Sequence, residues 1–408
     1  MQALASLTET YDDLLKKVLG RSRSLFDEDL QANNESLYKA ISGAKVLVIG
    51  AAGSIGSAFV KQLMKFDPES VHLVDLSENN LVEVVRDMRS SLLTLPENFR
   101  TFSVGLGSPE FDALLKGEGP YTHVVNFAAL KHVRAERDPY TLMRMLDTNV
   151  YFVHELLSKL AGATLQKFFA VSTDKSVNPA NLMGATKSMM EHVMLLHSER
   201  IDVSSARFAN VAFSDGSLLH SFIKRLEKRQ PLSGPLDIKR YFISHEEAGQ
   251  LCLFSCFLGN NREVFFPKLK AETDLYSFAD IATLFLESKG LKPKQYLSEK
   301  DAKVAALSLA DDGTYPCYFS SSDTSGEKPF EEFYKDTDEV DFERYQAMAV
   351  LQTPPLGEEG NRVSHALDTL RVLKNRPTWT KHDLAELIYN AVPDLEHQEK
   401  EKNLDQKM

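Results

Sequence analysis

An α/β fold built on a doubly wound parallel sheet is what this sequence predicts. From residue 44 to about residue 210, short unbroken apolar runs alternate with amphipathic helical stretches, and the first run passes straight into a glycine-rich turn. Unbroken runs mark strands covered on both faces, as a parallel sheet with helices on either side requires. A chain of 408 residues is long enough for one large domain or two moderate ones with ample core.

The elements follow in order. Residues 1–42 are mostly polar, but Leu4, Leu7, Tyr11, Leu14 and Val18 recur at helical spacing. They predict an N-terminal helical extension that packs on the main body or on a second subunit. "AKVLVIG" is the first strand and "AAGSIGSAFVKQLMKF" the first helix of the sheet domain. "SVHLVDL" and "ENNLVEVVRDMRSSLL" repeat the pattern, and further strands read at "FRTFSVG", "THVVNFAA", "KFFAVST" and "SSARFAN". The sheet domain is thus placed at 43–210. Residues 211–330 mix short helical and extended pieces, as in a smaller lobe that closes over a ligand. A C-terminal extension, 331–408, starts acidic, turns amphipathic in "TKHDLAELIYNAV" and ends in a charged tail.

Composition narrows the function. With 43% hydrophobic and 26% charged residues the chain is an ordinary globular one, and its net charge of -11 repels nucleic-acid backbones and anionic membranes alike. No segment approaches the roughly 20 apolar residues of a membrane span, and the N-terminus lacks the basic-then-apolar order of a secretory signal. Three cysteines exclude a disulfide framework. Cys252 and Cys256 share one face of an apolar helical run, and with Cys317 they read as core thiols of a reducing compartment rather than metal ligands. The expected location is the cytoplasm.

Gly50, Gly53 and Gly56 stand where the first strand meets the first helix. One glycine permits the tight turn, one lets backbone N–H groups reach a pyrophosphate, and one lets helix and sheet lie close. Ser54 and Ile55 belong to the same cradle, at a helix N-terminus whose partial positive charge faces the phosphates. Asp75 ends the next strand at the offset where a carboxylate takes the adenine ribose hydroxyls. That carboxylate, with no arginine close behind, favours NAD over NADP. The glycines between a clear strand and helix are the signature of a Rossmann-like fold.

The stretches "VIGAAGSIG", "VDLSENNL", "NFAALKHV", "TNV", "VSTDKSVNPANLMGATK", "RFANV" and "KRYFIS" occur in one order from residue 45 to about 255. In them the chain resembles the extended short-chain dehydrogenase/reductases, and among these the UDP-N-acetylglucosamine 4,6-dehydratases of polysaccharide biosynthesis. The resemblance implies an internal redox cycle on a UDP-sugar. Hydride leaves C4 for NAD, water is lost across C5 and C6, and the hydride returns to C6 to give a 4-keto-6-deoxy sugar. It implies a homo-oligomer, with a dimer the default, and rare amino-sugar or surface-glycan synthesis as the setting.

Residue by residue, the resemblance makes Asp174 the acid at the C6 hydroxyl and Lys175 the base at C5. Consecutive on a strand, the two point in opposite directions and flank one sugar only where the backbone turns, as Pro179 suggests. Lys187 matches the lysine that holds the nicotinamide ribose, and Ala128 follows the fourth strand beside the cofactor. Met183 stands where the family usually carries its tyrosine, and a thioether is no base. A methionine-bearing subgroup of long, often membrane-attached 4,6-dehydratases shares "MGATK" and is active. Thr173, Lys187 or a water must then take the C4 hydroxyl proton, with Thr173 favoured as a relay. Lys131 and His132 are expected to line the sugar pocket; a solvated loop is the other reading, and it explains His132 nearly as well. Asn149 resembles the family's structural asparagine. Asn210, Arg207 and Arg240 are expected to grip the substrate, Arg240 near the diphosphate, where a planar guanidinium engages phosphate oxygens in pairs. "GPLDIK" departs from the family's histidine–proline–aspartate form, and UDP is preferred to GDP on family frequency.

Two other functions compete with dehydration. A nucleotide-sugar epimerase would not need the adjacent Asp174 and Lys175. A non-catalytic dinucleotide-binding module has Met183 as its only positive argument.

Overall fold

A computed structural model describes residues 11–162, 164–309, 312–322, 328, 330 and 332–397. Among these, a nine-stranded sheet forms the frame, with two three-stranded sheets beside it. In chain order the large sheet takes β1 (Lys45–Ile49), β2 (Ser70–Asp75), β3 (Asn98–Ser103), β4 (His123–Asn126), β5 (Lys167–Thr173), β6 (Val203–Phe208), β7 (Glu263–Pro267), β8 (Val340–Asp341) and β9 (Met348–Gln352). Their spatial order is β8-β9-β7-β6-β5-β4-β1-β2-β3. β1 pairs in parallel with both β2 and β4, so the order reverses there, and ligands bind outside the strand ends at such a switch point.

The strands form where the apolar runs predicted them. Val46, Leu47, Val48 and Ile49 are all buried because helices cover both faces of β1. Each such side chain contributes about 1.5–3 kcal/mol on burial. Over one face lie the helices Asp27–Ile41, Ser54–Leu63 and His245–Phe257, and over the other Pro139–Leu146, Phe152–Leu160, Leu182–His197, Glu358–Lys374 and Lys381–Ala391. Helix His245–Phe257 crosses Ser54–Leu63 at backbone contact, where a Cβ on Gly249 would stand 2.7 Å from the Ala58 carbonyl. It is buried on every side, and Cys252 and Cys256 are free core thiols within it. Burial pushes the Cys256 thiol up to about 12, although the Lys167 charge opposes the rise.

The large sheet reaches beyond the stretch the sequence assigned to it. β7 joins in parallel beside β6, and β9 closes on β7 antiparallel. These strands come from residues read as lobe and C-terminal extension. "EVFFP" is apolar, but nothing local to it says that its partner lies some 60 residues earlier. The lobe itself gathers helices Leu218–Glu227 and Phe278–Ser288 around Phe222 and Phe285. Leu14, Leu15 and Val18 of the first described helix, Tyr11–Leu19, pack into that same cluster. Leu4 and Leu7 fall outside the described residues. Among the described residues no helix is long and apolar enough to cross a membrane, and no cluster of side chains could hold a metal ion.

Candidate functional site

The site begins at the end of β1. Gly50 takes a positive φ of 72°, and a Cβ there would lie 2.6 Å from the Ala128 backbone nitrogen. A Cβ on Gly56 would fall on the Gly50 carbonyl oxygen. Gly53 meets no such wall, and it caps helix Ser54–Leu63 without a side-chain hydrogen bond. The first amides of the helix are therefore left for a ligand. Asp75 Oδ2 accepts from the Ala52 amide at 3.0 Å and Oδ1 from the Ser77 amide at 2.9 Å. Its carboxylate thus braces the turn it faces. Ser54 Oγ accepts from the Asp215 amide at 3.0 Å, tying the turn to the lobe.

The second half is built at the end of β5. Asp174–Ser176 form one 3₁₀ turn, which folds the chain back and brings the neighbours Asp174 and Lys175 together. Lys175 Nζ donates to Asp174 Oδ1 at 3.0 Å, with the carboxylate 2% and the amine 21% exposed. The expectation that the two flank a sugar from opposite sides is replaced by direct pairing. Thr173 Oγ1 donates to the same Oδ1 at 2.9 Å and accepts from the Lys175 amide.

Helix Leu182–His197 closes this half. Asn181 caps it, accepting from the Gly184 amide at 2.8 Å. A Cβ on Gly184 would strike the Lys175 carbonyl, so this glycine lets the helix lie against the turn. Met183 is 4% exposed, and its amide donates to Glu136 Oε1 at 2.7 Å. Lys187 is buried one helical turn on, donating to the Val171 carbonyl at 2.7 Å. Burial lowers it to about 8, although the Glu191 carboxylate opposes the fall. Asn149 joins the walls: it accepts from the Leu130 amide at 2.9 Å and donates to Thr186 Oγ1 at 3.0 Å, from within a π-turn.

One cavity of about 430 Å³ unites the parts, lined by Gly50, Gly53, Ser54, Ile55 and Gly56 at one end and by Thr173, Lys175, Met183 and Lys187 at the other. The lobe supplies the opposite wall through Asn210, Ser214–Leu219, Phe242 and Phe278. Lys131 and His132 reach it, His132 with its ring on Gly216, where a Cβ would lie 2.6 Å from the imidazole. Among the described residues the buried Asn210 amide nitrogen meets no hydrogen-bond partner at this wall. Asp75, Ala128 and Asp174 are not on the lining, and Asp174 meets it through its bonds to Thr173 and Lys175.

Arg207 and Arg240 are not on it. Arg207 is buried in an ion pair with Glu191, and Arg240 donates to the Lys239 and Lys328 carbonyls. Each guanidinium already has acceptors inside the protein, which corrects the expectation that they line the substrate's pocket. Glu136, Gly184 and Glu191 were missed by sequence reasoning. Only Gly184, inside the quoted "MGATK", carried a local signal.

The arrangement can cradle a diphosphate on backbone amides and present Lys187, the Thr173 hydroxyl and the Lys175 amine to one bound molecule, with the Asp174 carboxylate held behind the last two. The family described as polysaccharide biosynthesis protein matches residues 46–353. An uncharacterized membrane protein of Methanocaldococcus jannaschii is 30% identical over 325 residues, 78% of this chain and 87% of that one. A protein named UDP-N-acetylglucosamine 4,6-dehydratase (inverting), from Campylobacter jejuni, is 25% identical over 354 residues, 84% of this chain and 96% of the other. The chain spans only 38% of the length of the capsular polysaccharide biosynthesis protein CapD of Staphylococcus aureus, to which it is 30% identical over 234 residues. Among solved structures, Pen from Bacillus thuringiensis shares the fold with a TM-score of 0.62 at 19% identity, covering 86% of this chain and 98% of that one.

Proposed function

The chain belongs to the polysaccharide biosynthesis protein family, and we propose that within it this protein is an NAD-dependent nucleotide-sugar 4,6-dehydratase acting on UDP-N-acetylglucosamine. The observation that carries the reading is the Asp174–Lys175 pair, turned at the end of β5 beside a cavity that also reaches the glycine turn and Lys187. An epimerase moves hydride at C4 alone and has no task for an acid and a base side by side. The name of the Campylobacter jejuni relative supports the same choice.

The residues fit a nicotinamide dinucleotide: uncapped amides at Ser54 and Ile55 for the diphosphate, Asp75 for the ribose, and Lys187 at the far end. Bound there, the nicotinamide supplies the acceptor for the C4 hydride and its later donor to C6. Asp75 favours NAD over NADP, because a second phosphate would meet its carboxylate.

Protons balance on the chain's own side chains. The Thr173 hydroxyl already donates to Asp174 Oδ1, so its oxygen is turned to accept the C4 hydroxyl proton and pass its own to Asp174. Met183 takes no part, and Thr173 replaces the usual phenol. Lys175 enters the cycle as the free amine, having given its ammonium proton to the solvent that its 21% exposure admits. Lys175 takes the C5 proton. Asp174 gives its proton to the departing C6 hydroxyl, so the water released carries the hydrogen first removed from the C4 oxygen. Lys175 then returns its proton to C5. Lys187, half neutral near pH 8, holds the nicotinamide ribose at the cleft's far end.

The deciding experiment is a mass spectrum of UDP-N-acetylglucosamine after incubation with the purified protein, first alone and then with added NAD. Loss of one water mass is expected. An unchanged mass with a new sugar configuration would instead make the protein an epimerase. No change with this sugar but water loss from a GDP-sugar would move the nucleotide assignment.

A further inference from the structure

Behind the turn that carries Asp174 and Lys175 lies an ion pair that is off the cleft's own lining and borders a second cavity instead. Glu191 stands one helical turn beyond Lys187, and Arg207 stands on β6 directly across from Ser172 in the sheet register. Arg207 Nη2 donates to Glu191 Oε2 at 2.7 Å and Nε to Oε1 at 3.1 Å, a two-point grip. Its remaining arm donates to the Phe333 carbonyl at 2.8 Å. Burial by itself would push the Glu191 carboxyl up, but the Arg207 charge and the hydrogen bonds from Arg207, Ser172 and Ser176 hold it below its ordinary value.

The carboxylate has further duties. Ser172 Oγ donates to Oε1 at 2.5 Å, and Ser176 Oγ lies 3.0 Å from the same oxygen and 2.7 Å from the Thr173 carbonyl. Ser172 precedes the turn and Ser176 ends it. One oxygen therefore accepts from Ser172 and shares the single proton of Ser176 with the Thr173 carbonyl, so it touches both feet of the turn, and the guanidinium fixes that oxygen.

We propose that Glu191 and Arg207 are positioning residues for the dehydration: gripping Ser172 and Ser176 from behind, they set where Asp174 and Lys175 stand in the cleft. The proposal rests on the reading of Asp174 and Lys175 as acid and base. A simple core ion pair would need only each other. The serine contacts at both feet of the turn are what give this pair a further task.

The test separates grip from fold. Ser176→Ala leaves the ion pair whole and lies off the cleft's lining, on the second cavity that the pair borders. Amides of the 172–178 segment are expected to exchange hydrogen about tenfold faster, with helix Leu182–His197 unchanged. The kcat on UDP-N-acetylglucosamine should fall about tenfold while KM stays within about twofold and bound dinucleotide is retained. Ser176→Thr, which restores the hydroxyl, should recover both readouts. A second variant, Glu191→Leu with Arg207→Met, replaces the pair by apolar volume, a change that folded proteins often tolerate. It should keep its thermal transition and lose about 100-fold in kcat, as displaced reacting groups do. Unchanged exchange in Ser176→Ala, or a kcat within about twofold of the parent in both variants, overturns the proposal. Were the unaltered protein inert on every nucleotide sugar, the function reading would fall and the role in dehydration with it, while the exchange measurement would still decide whether the pair holds the turn.

Discussion

Two strand-end turns build this site, and they are made of different things. The turn after β1 is made of absence: Gly50 and Gly56 are there because a Cβ at either would strike backbone. The turn after β5 is made of charge, with Lys175 on Asp174 in front and Arg207 on Glu191 behind. The first shapes a space and the second sets proton positions inside it. Changes in the first should therefore act on binding and stability, and changes in the second on rate.

The sharpest way to break that division is Lys175→Ala. Product formation should fall by about 10²–10⁴-fold, the usual worth of a positioned acid or base, while the purified protein still carries its dinucleotide. Retained turnover would remove Lys175 from the role of C5 base. Next in size is Gly56→Ala, whose methyl must displace the Gly50 carbonyl or the Ala51 Cα 2.9 Å away. A stability loss of about 1–3 kcal/mol and poorer dinucleotide retention are expected, with the rate per bound cofactor little altered. An unchanged melting temperature together with full dinucleotide content would show that the turn is not shaped by steric exclusion.

Lys187 joins the two turns, and its titration gives a smaller effect with a definite sign. The folded amine loses its proton near pH 8 and the unfolded one near its ordinary 10.5. Between those values the unfolded chain binds more protons, so stability rises with pH through that window on this group's account. Below pH 8 both forms are protonated and the burial penalty is fully present. The difference in denaturation midpoint between the parent and Lys187→Met should therefore change between pH 8 and 10.5 and level off on either side. A difference flat across that range would mean the folded amine titrates normally. Smallest of all should be Met183→Leu, a change that keeps volume and removes the sulfur. Turnover within about threefold is expected, and a large loss would make the thioether a participant.

Legibility in the sequence followed the same division. The glycine turn could be read because its requirement is local: backbone conformation and close approach are written in the residue itself. Strands β1, β2, β4 and β5 could be read because each is a mostly apolar run, whereas the edge strand β3 (NFRTFS) and the serine-bearing β6 (VSSARF) show only interrupted ones. Asp174, Lys175 and Lys187 were named from a motif, yet the pairing of the first two was not, since it depends on a 3₁₀ turn held by residues 15 and more positions away. The two arginines expected at the substrate illustrate the limit. Nothing near Arg207 in the chain announces that Glu191, on a preceding helix, already occupies it.

By itself, then, the sequence determined which residue types meet at the strand ends and in what order the sheet is laid down. Backbone freedom, apolar periodicity and motif spacing are properties of neighbours in the chain. Tertiary structure alone decided which charges face the cleft and which are spent behind it. β7 and β9 extend the sheet from distant segments, and β5 and β6 lie in the register that sets Arg207 beside Ser172. A buried charge must find its partner within the fold, because it has left the water that would otherwise have served.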